Sequence, residues 1–127
     1  MPTHLDGKEM NKQLRTQLWW RCEGYCEKCG TGLSRLGFAA HHRMLRSQGG
    51  KDEITNLVAL CHFCHNLATG SIHSNPAQSY KTGWMVHNWQ NPEDVLICTD
   101  AGLIVGLNQD GTKTNYKEQL TWLENQP

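Results

Sequence analysis

The sequence predicts a small α+β domain, on three observations. Met10, Leu14 and Leu18 recur every four residues without an intervening Pro or Gly, which predicts a helix over residues 8–21. Short apolar runs separated by turn residues follow it, the pattern of short strands. Two Cys-x-x-Cys pairs, Cys26 with Cys29 and Cys61 with Cys64, bracket the middle of the chain.

Taken in order, the helix ends at Gly24, just before the first cysteine pair. Residues 36–40 lead into His41 and His42 and read as a strand. Residues 46–52, with Gly49-Gly50, read as a loop, and residues 57–60 as a second strand. Residues 63–68 begin a helix that Gly70 ends or bends. The middle is therefore strand, loop, strand, helix. Beyond Pro76, the runs 84–89, 95–98 and 103–107 are β-prone, with turn signals at Asn91-Pro92, at residues 100–102 and at Asp110-Gly111. They predict a small antiparallel sheet, closed by a short helix over 116–123 that packs Leu120 and Leu123. There is no internal repeat.

At 127 residues the chain suits one domain with a modest core, and 38% hydrophobic residues fit a folded one. The formal net charge is zero, so any nucleic-acid binding must come from a local patch. One candidate contains Arg35, Arg43, Arg46 and Lys51, with no acid before Asp52. The tail leans the other way: Glu93, Asp94, Asp100, Asp110, Glu118 and Glu124 face only Lys113 and Lys117. No stretch reaches the roughly 18 apolar residues of a membrane span. Residues 1–10 are polar, without the apolar core of an export signal, so a reducing cytoplasm is expected.

Cysteines in that compartment favour metal binding over disulfides. Each Cys-x-x-Cys turn can aim two thiolates at one ion, and two such turns complete a tetrahedral four-cysteine zinc site. That site is closed, hence structural, and its metal affinity adds to folding energy. Cys61-His62-Phe63-Cys64-His65 also fits the haem-attachment pattern, but this leaves Cys26 and Cys29 unexplained and goes with export. Cys22 and Cys98 read as ordinary thiols.

Adjacent residues of a strand face opposite sides, so His41 and His42 suit two different tasks, one at a metal and one at a water. Asn56 and His65 follow, with His65 fixed by the second knuckle. Three stretches carry a family resemblance: Ala40-His41-His42-Arg43, Ser47-Gln48-Gly49-Gly50, and the run from Asn56 through Cys61-x-x-Cys64 to His65. Together they resemble the HNH endonucleases over residues 21–75. Ile72-His73-Ser74-Asn75-Pro76 and Gly83-Trp84-Met85-Val86 are more loosely similar to HNH proteins of bacteriophages and prophages.

The resemblance implies a ββα-metal core over 21–76, a β-rich extension over 77–127 within a single domain, and hydrolysis of DNA at one divalent ion such as Mg2+ or Mn2+. It implies His42 as general base, a task that an imidazole titrating near 6.5 suits. His41 and His65 would ligate the catalytic ion, and Asn56 would tie down the loop that holds His42. The products would carry 5′-phosphate and 3′-hydroxyl ends. Arg43 and Arg46 are the candidate phosphate contacts.

The third ligand departs from the family pattern. Some relatives carry a histidine four residues after the position of His65, where this chain has Thr69; its next histidine is His73. A continuous helix would separate His65 and His73 by about 12 Å. Either residues 69–71 break the helix and return His73 to the site, which is the expectation, or His73 is not a ligand. His62 is expected to face solvent, and His4 and His87 belong to no motif.

An enzyme, a DNA endonuclease or nickase, is therefore the leading expectation; one catalytic site cuts one strand at a time, so a double-strand break would take two encounters or a dimer. The alternative is a zinc-knuckle DNA-binding module without catalysis; a structural or interaction protein is the third. DNA is the expected partner, no membrane is, and the chain would act as a monomer or weak dimer. Phage-type relatives suggest by analogy a terminase or other packaging partner.

Overall fold

The computed structural model describes residues 11–116. Helix α1 spans Lys12–Cys22. Asn11 caps it, its Oδ1 accepting from the backbone N–H groups of Gln13 and Leu14 at 2.7 and 3.3 Å. It ends where Glu23 turns left-handed and its N–H donates to the Trp19 carbonyl. The stretch 8–10 of the expected helix lies outside the described residues.

Strands β1, Ala39–His42, and β2, Leu57–Leu60, pair antiparallel, with His41 opposite Val58 and His42 opposite Leu57. The expected first strand is thus shifted: residues 36–38 form a turn, Leu36 is exposed, and pairing begins only at Ala39. In the connection, residues 46–48 make one short 3-10 turn. Gly50 is obligatory there, because a Cβ would lie 1.7 Å from the Met44 carbonyl oxygen.

The hairpin is covered on both faces. On one, α1 places Leu18 and Cys22 against Phe38, Ile54, Leu57 and Ala59. On the other, Val58 and Leu60 meet Cys26, Ile72, Trp84, Met85, Ile97 and Leu107. A buried Arg21–Glu27 ion pair joins these layers: Arg21 Nη2 lies 2.8 Å from Glu27 Oε1, and its Nη1 donates to the Ile54 carbonyl at 2.7 Å. Glu27 Oε1 also accepts the Ala59 N–H at 2.9 Å, so helix, first knuckle and β2 share one carboxylate.

After β2 the chain makes a single π-helical turn, Phe63–Leu67, and leaves it at Ala68, which is extended. The break thus precedes Gly70. Helix α2, Pro76–Lys81, which the hydrophobic pattern does not signal, starts on a proline whose missing N–H costs nothing at a first turn. Two of the expected strands form, shortened, as β3, Ile97–Cys98, and β4, Ile104–Leu107. The third strand of the sheet is β5, Lys113–Asn115, which the sequence pattern does not signal, and the three are antiparallel in that order. Residues 84–89 are not a strand. Their backbone is used elsewhere: Met85 donates to the Ser79 carbonyl at 3.0 Å and Val86 to that of Arg43 at 2.9 Å. The helix expected over 116–123 lies, from residue 117, outside the described residues. Among those described, no helix is long and apolar enough to cross a membrane.

Candidate active site and metal centres

The four knuckle sulfurs come together. Cys26, Cys29, Cys61 and Cys64 offer ligand atoms that all lie within 4.8 Å of one another. The first turn is closed by Cys26 N–H to the Thr31 carbonyl and Gly30 N–H to the Cys26 carbonyl, at 2.7 and 2.9 Å. In the second, Cys64 N–H points at Cys61 Sγ, 3.5 Å away. Cys29 Sγ and Cys61 Sγ are 3.9 Å apart. Sulfurs about 2.3 Å from one tetrahedral ion would stand about 3.8 Å apart, so the donor set fits zinc. Burial, with neighbouring Cys26, drives the Cys64 thiol far above its usual pKa. Several thiolates this close need a cation among them. The cluster is compatible with a zinc site.

A second donor set lies beyond β2. His41, at the buried face of β1, His65, in the π-helical turn, and His73 present ring nitrogens within 4.8 Å of one another. His73 returns because the chain doubles back: Ile72 N–H donates to the Cys64 carbonyl at 2.8 Å and His73 N–H to that of His65 at 3.3 Å. The Nε2 atoms of His65 and His73 are 3.0 Å apart. Two nitrogens each about 2.1 Å from one ion stand about 3.0 Å apart at a right angle and about 3.4 Å at the tetrahedral angle. The spacing suits one shared ion.

His41 Nε2 lies 2.9 Å from the Trp84 carbonyl oxygen, which can only accept. The proton is therefore on Nε2, and Nδ1 keeps the lone pair a metal needs. Burial also lowers the His41 pKa to about 3 and, with His73 adding to it, that of His65 to about 4. Both rings are neutral at pH 7, the form that ligates.

His42 projects from the opposite side of β1, as strand alternation requires. It is half-buried, and its Nε2 lies 2.6 Å from Asp52 Oδ1. Arg46 Nη2 reaches both oxygens of the same carboxylate, at 3.1 and 3.2 Å. Burial opposes ionisation of Asp52, but the hydrogen bonds from His42 and Arg46 outweigh it and hold the carboxyl below its usual pKa. Asn56 is fully buried: its Oδ1 accepts from Met44 N–H at 2.8 Å, and its Nδ2 donates to the carbonyls of Met44 and Lys51 at 3.1 and 3.0 Å. It braces both ends of the loop carrying Arg46 and Asp52.

Arg43 requires a correction. The sequence pattern places it at the surface on phosphate, but it is fully buried. Its guanidinium donates to the carbonyls of Gly83, Thr55, Pro92 and Val95, at 2.9, 2.9, 2.9 and 2.6 Å. Residues two apart along a strand face the same side, and Arg43, two beyond His41, turns inward with it. Arg46 is exposed. Of the histidines without a motif, His62 is exposed and bonded to the Gly37 carbonyl, while His4 lies outside the described residues. His87 stacks between Tyr80 and Trp89, with centroids 3.8 and 4.2 Å away.

Sequence reasoning missed Asp52, whose signal was only that it closes the loop after Gly49-Gly50. It also missed the Trp84 carbonyl, which no side-chain pattern marks. Residues 26–70 match the family model described as HNH endonuclease. No curated protein and no solved structure matches the chain.

Proposed function

We propose that this protein, whose residues 26–70 match the HNH endonuclease model, is a metal-dependent DNA endonuclease or nickase, hydrolysing phosphodiester bonds with His42 as general base. The observation that carries the reading is the junction of two constellations on one four-residue strand. On one side of β1, the donor atoms of His41, His65 and His73 lie within 4.8 Å of one another; on the other, His42 stands 2.6 Å from Asp52.

His41, His65 and His73 would hold the catalytic divalent ion, such as Mg2+, Mn2+ or Ni2+, apart from the zinc that the cysteine cluster would hold. When bound, a divalent ion there supplies charge to a phosphate oxygen and to the leaving 3′ oxygen. The remaining work belongs to side chains. The Asp52 carboxylate accepts from His42 Nε2–H, which leaves Nδ1 as the basic nitrogen that takes the proton of the attacking water. Arg46 neutralises Asp52 and extends beside the base, where it can meet a neighbouring phosphate. Asn56 keeps the loop, and therefore Asp52, in register with His42. Attack by water at phosphorus with departure of the 3′ oxygen gives 5′-phosphate and 3′-hydroxyl ends.

Residues 21–76 are the proposed nuclease core and residues 77–127 its β-rich extension. A plasmid-nicking assay with Mg2+, Mn2+ or Ni2+ tests the reading. Conversion of supercoiled to open-circular DNA is expected. Normal DNA binding without cleavage by any of the ions would instead identify a zinc-knuckle binding module.

A further inference from the structure

A second concave surface lies on the α1 side of the hairpin. It is a groove of about 570 Å³ between the helix and the turn before β1, lined chiefly by Lys12, Arg15, Trp19, Arg35, Leu36 and Phe38. Among the described residues, no acidic one lines it. None of its three cations belongs to an ion pair with a described residue, whereas Lys28, Arg21, Arg46 and Lys113 all do.

The groove has a built floor. Phe38 is buried beneath it, Trp19 stacks on that ring at 5.7 Å, and the Arg15 guanidinium lies 3.8 Å above it. Arg15 Nη2 donates to the Phe38 carbonyl at 2.9 Å, which fixes the cation at the groove wall. Lys12 and Arg35 are exposed at the rim, and Leu36 is 93% exposed beside them. In a chain with zero net charge, three cations without an ion pair among the described residues, set around an apolar floor, are a local concentration of positive potential.

Its position relative to His42 says what it is for. Phe38, Ala40 and His42 occupy alternate positions and share the face of the hairpin on which α1 packs. Four residues of strand span about 13 Å, close to the rise of four base pairs. A duplex with one phosphate at His42 would lay its backbone across Arg35, Lys12 and Arg15 a few nucleotides away.

We propose that this groove, half of it supplied by α1 outside the matched region, is a DNA-backbone seat that holds the strand flanking the scissile phosphate. Lys12, Arg15 and Arg35 neutralise phosphates, while Leu36 and the Phe38–Trp19 floor meet the sugar edge. The identity of the ligand rests on the nuclease reading; the existence of an anion-selective groove does not.

The test is the salt dependence of binding to a short duplex, with zinc-loaded protein and no catalytic ion added. Lys12→Ala/Arg35→Ala removes two rim cations that carry no packing. The slope of log affinity against log salt should fall in magnitude by about 1.8, that is about 0.9 per lost phosphate contact. Arg35→Glu should weaken binding further than Arg35→Ala. An unchanged slope in the double variant overturns the proposal and leaves the groove to another partner, such as an acidic protein surface. The nicking assay separates the two readings. A variant that loses the slope while the wild type never cuts sinks the nuclease and keeps the seat; a wild type that cuts and a variant with full slope do the reverse. Wild-type protein that binds no duplex overturns both.

Discussion

Asp52 Oδ1 stands 2.6 Å from Nε2 of His42, and Arg46 spans both oxygens of that carboxylate. An ionised carboxylate only accepts, so this contact selects the tautomer and the orientation of the ring together. Asp52→Ala should therefore lower kcat by about 10- to 100-fold with little change in KM, because a freed imidazole spends less time aligned. Asp52→Glu should restore part of the loss. Equal kcat in the alanine variant would show that His42 is oriented by something else.

His42→Ala should abolish nicking, a loss of at least about 100-fold, while zinc content and thermal midpoint stay at wild-type values. The ring is half-buried and belongs to neither core cluster, so the fold has little to lose. Residual activity near wild type would remove His42 from the role of base.

His73→Ala should raise the concentration of Mn2+ needed for half-maximal cleavage, and excess metal should recover much of the rate. Two remaining imidazoles can still hold an ion, less tightly. An unmoved metal titration curve would exclude His73 from the coordination sphere.

Cys61→Ser, or exhaustive chelation, should unfold the protein rather than merely inactivate it. Cys26 lies in the same cluster as Val58, Leu60 and Trp84, so the core is organised around the thiolates. Circular dichroism of the apo-protein would show lost structure, and restored zinc should bring it back. A chelated protein with an intact spectrum would reduce the cluster to an accessory.

Arg43→Lys should cost about 2 kcal/mol or more in stability, read as a drop in the thermal midpoint. Four carbonyls converge on one planar fork, and an ammonium with three donors cannot serve them in that geometry. The salt slope of DNA binding should not change, which separates this residue from a phosphate contact.

The cysteine frame was legible in the sequence because ligand spacing is itself a geometric statement, and β2 was legible because residues 57–60 are buried on both faces. Two strands of the antiparallel tail, β3 and β4, were visible through the turn residues that flank them, whereas β5 was not. Other elements were hidden for identifiable reasons. Residues 84–86 have strand composition, yet their N–H groups and carbonyls go to Ser79, Arg43 and His41, which only tertiary contact can dictate. Helix α2 is six residues of mostly exposed side chains, too short and too polar to leave a periodic signal. At the site, the return of His73 was one of two courses the spacing permitted; the chain leaves its helix at Ala68 and brings a His73 ring nitrogen within 4.8 Å of those of His41 and His65. Arg43 was misjudged because a surface cation and an interior one look alike in a sequence.

That interior guanidinium also decides how portable the β1–β2 hairpin is. Its acceptors come from the loop before β2 and from three points beyond residue 82. A fragment cut at residue 76 would strand a charge in an apolar gap and leave His41 without the carbonyl that sets its proton. Grafting such a fragment onto another protein would transplant the sequence motif but not the chemistry, because the strand's rigidity is lent by residues that the motif does not contain.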